Sequence, residues 1–131
     1  MITVSPNKND ITVGEQFTVS INTSDMQIAS FELEIHFDNS KLEYLSGPYP
    51  SNIQNNTILY TWVDEDGGNS PKQNEELVQF SFYARGGGEA VVGISGRFFN
   101  SYGQEMTPTI DQGIIPIVAH VEETRIYEDR K

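Results

Sequence analysis

Glu32 and Glu34 stand two residues apart in a run that alternates apolar and polar side chains. On a β-strand such side chains share a face and sit about 6.5–7 Å apart. That spacing overlaps the carboxyl separation of inverting glycosidases. A catalytic pair also needs a substrate cleft and unequal environments that drive its two pKa values apart. Neighbours on one open strand have neither, so the pair reads as a charged surface. A second acidic group runs through Asp64, Glu65, Asp66, Gly67, Gly68 and Asn69, with Glu75 beyond it. Asp64, Asp66 and Glu75 match positions 1, 3 and 12 of an EF-hand loop, but position 6 holds Asn69 where the loop needs glycine. This stretch reads as an acidic turn. His36 and His120 are the only histidines, and they lie in separate segments without spaced ligand partners. A metal site is not expected. Gly86, Gly87 and Gly88 follow a strand-like run, but no helix and no Gly-Lys-Ser/Thr follows them. They read as a hairpin turn, not a phosphate cradle. No serine sits in a G-x-S-x-G elbow. The residues predict no enzyme and no cofactor on this chain.

Composition narrows the partners. The chain has 131 residues, no cysteine and a formal net charge of −11. That length suits one domain with its own core. The absence of cysteine excludes a disulfide framework and a thiol nucleophile. Residues 1–118 hold 15 acidic and five basic side chains, and residues 119–131 hold four and three. So acidic a domain repels nucleic acid and anionic lipid, and neither is expected as a partner. No apolar run approaches the roughly 18–20 residues that span a bilayer. Ile2-Thr3-Val4-Ser5 already reads as a strand and not as a signal peptide. This suggests an intracellular protein or a module of a larger chain.

The elements that would position these residues are strands. Between residues 30 and 38, Phe31, Leu33, Ile35 and Phe37 alternate with Ser30, Glu32, Glu34 and His36. A period of two sorts them cleanly onto two faces. Phe17, Val19 and Ile21 alternate in the same way, as do Val78, Phe80 and Phe82. Residues 58–63 are β-prone throughout, with Tyr60 and Trp62 on one side and Leu59, Thr61 and Val63 on the other. Residues 90–95 and 114–118 are further short apolar runs. Gly, Asn, Asp and Pro clusters separate all of these. Short strands at regular spacing predict an all-β fold, an antiparallel sandwich or barrel.

Four motifs occur in order along residues 2–118. They are Val13-Gly14-Glu15-Gln16-Phe17-Thr18-Val19, then the run from Phe31 to Leu45 that reads F-E-L-E-I-H-F-D-N-S-K-L-E-Y-L. The strand from Leu77 to Tyr83 comes third. Gly96-Arg97-Phe98-Phe99-Asn100 with Asp111-Gln112-Gly113-Ile114-Ile115 closes the set. This set resembles the cohesins, the modules that bind dockerins in extracellular polysaccharide-degrading complexes. The resemblance implies an antiparallel jelly-roll β-sandwich over residues 1–118, with 119–131 as a linker or terminal extension. It implies a non-catalytic module, a monomer when free, of a secreted or cell-surface bacterial protein. Its partner would be a dockerin domain that carries its own calcium.

The resemblance also places the partner across one sheet face. Ser30 and Glu32 occupy positions where the family carries hydrogen-bonding side chains. Glu34 and His36 continue that outward row. Tyr60 and Trp62 would be core, leaving Thr61, Val63 and Asp64 on the exposed face. Gly103 and Glu105 fall where the family has an apolar and an acidic contact. Gly103 cannot supply the first, and Tyr102 is expected to take its place. The rival reading is a carbohydrate-binding module of a secreted glycoside hydrolase, with Tyr49 and Tyr102 as exposed aromatics. A third is a structural spacer.

Overall fold

A computed structural model of the protein describes residues 1–48, 51–54 and 56–119. Tyr49, His120 and the expected extension beyond Ala119 lie outside the described residues. In chain order the strands are β1 (Ile2–Pro6), β2 (Ile11–Thr12), β3 (Gln16–Thr23), β4 (Gln27–Ile28), β5 (Ser30–Phe37), β6 (Leu42–Ser46), β7 (Ser51–Gln54), β8 (Thr57–Val63), β9 (Lys72–Gln73), β10 (Glu76–Ala84), β11 (Gly88–Phe99), β12 (Glu105–Met106), β13 (Ile110–Asp111) and β14 (Gly113–Val118). One sheet runs β13-β1-β3-β10-β6. The other runs β2-β14-β11-β5-β8-β7, with β12 also paired to β11. A separate β4–β9 ribbon completes the set. The two large sheets form a jelly-roll β-sandwich. Pairing is antiparallel except for β1 with β13 and β2 with β14. Among the described residues, no helix is long and apolar enough to cross a membrane.

The alternation in the sequence becomes the inside and outside of this sandwich. Phe31, Leu33, Ile35 and Phe37 of β5 are buried, and Glu32, Glu34 and His36 are exposed. In the sheet that faces β5, Phe17, Val19 and Ile21 of β3 pair with Phe82, Phe80 and Val78 of the adjacent strand β10, and all six are buried. Aromatic contacts then join the layers. Phe37 meets Phe82 edge-on with centroids 5.3 Å apart, and Tyr60 meets Phe80 edge-on at 6.3 Å. Edge-to-face geometry suits the ring quadrupoles, so each such pair adds about 0.5–1.5 kcal/mol beyond its buried area.

Four expectations need correction. Residues 86–88 do not form a hairpin turn. β10 lies in one sheet and β11 in the other, so this link carries the chain across the sandwich. The reason is burial: Phe82 and Ala84 face inward from one layer, and Ala90 and Val92 from the opposite one. Trp62 is half-buried, not core. It stacks on Phe31 at 5.6 Å and Lys72 sits 4.9 Å from its ring centroid. At this end of the sandwich only part of the indole finds apolar cover. Leu77 is buried together with Val78, against strict alternation. A register shift between Glu76 and Val78 turns it inward, as a bulge does.

Asp64 is likewise not exposed; it is 7% accessible. Its carboxylate accepts the N–H of Asp66 at 2.9 Å and of Ser70 at 2.8 Å. Its own N–H donates to the Ala29 carbonyl at 2.8 Å. The acidic turn is therefore built on Asp64, which satisfies backbone donors that the loop would otherwise leave unpaired. Losing such an acceptor costs about 1–3 kcal/mol. We expect Asp64→Ala to lower stability by that amount in urea unfolding, and Glu65→Ala to leave it unchanged. Equal stability of wild type and Asp64→Ala would refute this role.

Ionisation adds a second expectation. Glu15 titrates below its ordinary 4.5, chiefly because the Thr12 N–H donates to it, and then because Lys8 bonds it. Asp38 titrates below 3.8, held by the hydroxyl and N–H of Ser40 and then by Lys41. Folding favours both carboxylates, so their contribution is complete above the ordinary values and is lost as pH falls through the lowered ones. Burial raises the phenols of Tyr44 and Tyr60 above 10.0. Folding favours their protonated forms, and that contribution fades as pH rises through the raised values. Stability against urea should therefore hold at neutral pH and decline below about pH 4 and above about pH 10. The double variant Tyr44→Phe, Tyr60→Phe should show a shallower alkaline decline; an identical one rules out these phenols.

Candidate functional site

The outer face of the β14-containing sheet carries the charged and hydroxyl side chains singled out in the sequence. β5 lies at its centre, between β8 and β11. Registers arrange the outward residues in rows. Ser30 is flanked by Val63 and Phe99, Glu32 by Thr61 and Arg97, Glu34 by Leu59 and Ser95, and His36 by Thr57 and Gly93. Inward burial of the alternate residues forces this outward set, because the pleat admits no other arrangement.

Side-chain bonds tie the rows together. His36 Nε2 is 3.4 Å from Glu34 Oε1, and His36 Nδ1 is 3.2 Å from Thr57 Oγ1. Arg97 Nη2 is 3.4 Å from Glu105 Oε1, and its guanidinium lies 5.1 Å from the Phe99 ring centroid. Glu105 thus joins the face from β12. Val63 is 64% exposed at one end of β8, an apolar side chain beside the polar rows.

A shallow groove of about 360 Å³ runs over β5, between Glu32, Glu34, Leu59, Thr61, Ser95 and Arg97. Gly96 opens its floor. A Cβ at this position would overlap the Glu32 carbonyl oxygen of the neighbouring strand, so only glycine permits the close approach. A second hollow of about 290 Å³ adjoins it, lined by Ser30, Thr61, Trp62, Val63 and Phe99. Both are open and wide, with the Glu32 and Glu34 carboxylates exposed along the central strand β5. Such a surface can accept hydrogen bonds and cations from a protein laid across it. It does not enclose a small substrate between two unlike carboxyl environments. Among the described residues no group of acidic and histidine side chains could hold a metal ion.

The structure thus brings together Ser30, Glu32, Glu34, His36, Thr61, Val63 and Glu105. Asp64 is withdrawn from this set, since its carboxylate is spent inside the loop. Tyr102 lines neither hollow of the face; it borders a different cleft. Arg97, Leu59 and Ser95 line the same face and were not among the residues expected to form it. Alternation along β11, with Val91, Gly93, Ser95 and Arg97 outward between buried Val92 and Ile94, was the signal that could have found two of them.

Neither the family models nor the curated proteins yield a match to this sequence. Solved structures do. The chain is similar to the sixth cohesin of scaffoldin B from Acetivibrio cellulolyticus, crystallised with a mutant dockerin. The TM-score is 0.77 at 17% identity, over 88% of this chain and 98% of that one. It is similar to the cohesin of a type I cohesin–dockerin complex from Clostridium thermocellum, with TM-score 0.75, 12% identity and coverage of 91% and 94%. A non-cellulosomal cohesin from the archaeon Archaeoglobus fulgidus matches with TM-score 0.74 and 14% identity, over 92% and 94%. With TM-scores of 0.74–0.77 over nearly the whole of both chains, this chain has the fold of these cohesins.

Proposed function

We propose that this protein is a non-catalytic interaction module that binds a dockerin domain. The observation that carries the reading is the exposed Glu32–Glu34 row, centred on a sheet whose fold matches cohesins that were crystallised with dockerins. The chemistry suits such a partner. A helix rich in lysine, arginine and hydroxyl side chains would find acceptors at Glu32, Glu34, Ser30 and Thr61. Leu59 and Val63 would desolvate the contact. The net charge of −11 would speed the approach of a basic surface. The residues at the centre of the groove would hold most of the binding energy, and the rim charges little.

This module would act within a secreted or cell-surface bacterial assembly that degrades polysaccharides or other glycans. It needs no cofactor of its own, and the calcium would reside on the dockerin. Chelation by EDTA should then abolish the complex while leaving this chain folded.

Titration calorimetry against the dockerins of the same genome tests the reading. At least one should bind. Glu32→Lys should weaken that complex by about 2–5 kcal/mol, as expected for a buried, charge-assisted contact. Failure of every dockerin to bind overturns the function, and unchanged affinity in Glu32→Lys removes the β5 face from the interface.

A further inference from the structure

Tyr102 has no role in the fold: it is 88% exposed. The turn that presents it is nevertheless held tightly. Asn100 Oδ1 accepts the N–H groups of Tyr102 at 2.9 Å and of Gln104 at 3.0 Å. Gly103, with φ of +77°, donates its N–H to the Asn100 carbonyl at 3.0 Å. Glycine adopts that conformation without the steric penalty other residues carry. Ser101 Oγ donates to the Gly68 carbonyl at 2.8 Å. That bond joins the turn to the loop organised by Asp64.

Between the two loops lies a cleft of about 450 Å³. Gln27, Asn69, Pro71, Ser101 and Tyr102 line it, and residues 67–68 form a wall without side chains. The Gln27 amide is oriented by its bond to Gln73 at 3.1 Å. The cleft shares no lining residue with the groove over β5. It combines an exposed aromatic ring with uncharged polar groups: the Gln27 and Asn69 amides can donate and accept, and the Ser101 oxygen, its proton given to Gly68, can accept.

We propose that this cleft binds a neutral saccharide, one sugar ring resting on Tyr102 and its hydroxyls meeting Gln27, Asn69 and Ser101. A pyranose ring presents an apolar C–H face and a rim of hydroxyls, which is the complement of this lining. An anionic ligand would need cations. The lining has none, Lys72 lies over Trp62, and the chain carries −11. An apolar peptide anchor would need an apolar pocket, and only Pro71 and the Tyr102 ring are apolar here. A short ordered loop pair, already fixed before binding, reduces the ordering cost that a weak ligand must overcome.

Titration calorimetry of the whole chain with cellohexaose, xylohexaose and mannohexaose tests the proposal, with an oligogalacturonate as the anionic control. At least one neutral hexaose should bind with a dissociation constant on the order of 1 mM. Tyr102→Ala should weaken it at least about tenfold, as loss of a central aromatic contact does, while Tyr102→Phe retains it. The thermal midpoint of Tyr102→Ala should equal that of the native chain, since the ring is unpacked. The proposal is overturned if no neutral hexaose binds, if the oligogalacturonate binds more tightly, or if Tyr102→Ala binds as the native chain does.

Discussion

Everything on the outer face depends on how β5 is anchored from within. Phe31, Leu33, Ile35 and Phe37 leave almost no surface exposed. Phe31 contacts Tyr60, Trp62 and Phe98 from the neighbouring strands, and Phe37 reaches across to Phe82 of the opposite sheet. Slipping β5 by one residue would bury Glu32, Glu34 and His36 and expose four large apolar side chains. Burial is worth roughly 1.5–3 kcal/mol for each such apolar side chain, so the register is enforced far more strongly than any surface bond could enforce it. The outward row of β5 is thus positioned by residues buried beneath it.

This explains which parts were legible in the sequence. Strand identity and facing were readable because they follow a period of two, and the burial of β3, of β5 and of β10 from Val78 onward obeys it. Residues whose placement follows from tertiary assembly were not. The glycines at 86–88 look the same in a hairpin as in a crossover, and only the sheet membership of β10 and β11 separates the two. Leu77 breaks the alternation through a bulge that local pattern does not encode. Asp64 was placed on the exposed face by the family resemblance, although the alternation of β8 sets it on the side of Tyr60 and Trp62. Its actual environment is set by the N–H groups of Asp66 and Ser70, which the loop turns back toward it. Arg97 was legible as part of a motif, whereas its position beside Glu32 required the β5–β11 register.

The agreement in fold at 12–17% identity has the same origin. A sandwich is specified by where apolar side chains recur and where the chain turns, and cores accept many residues of suitable volume. Identity can drain away while this pattern holds. The outward positions are under no such constraint from folding. Their residues can therefore change to suit a different partner without disturbing the layer beneath, and in this chain that outward set is Ser30, Glu32, Glu34 and His36 on β5.

Two surfaces of unlike chemistry result from one architecture. The β5 face concentrates carboxylates on a rigid sheet, where a broad, donor-rich protein surface can match them row by row. The cleft beside Tyr102 is uncharged and built from loops that fold onto each other through Ser101 and Gly68. Its rigidity comes from Asx-type bonds and from the buried Asp64 carboxylate, not from the sheet ladder. Because the two share no lining residue, occupation of one leaves the side chains of the other in place. Electrostatics separates them further. A basic partner drawn to Glu32 and Glu34 has little to gain from an uncharged cleft, and a neutral saccharide has little to gain from a charged sheet. The two proposed ligands, a protein on the sheet face and a saccharide in the cleft, would therefore not compete for each other's contacts.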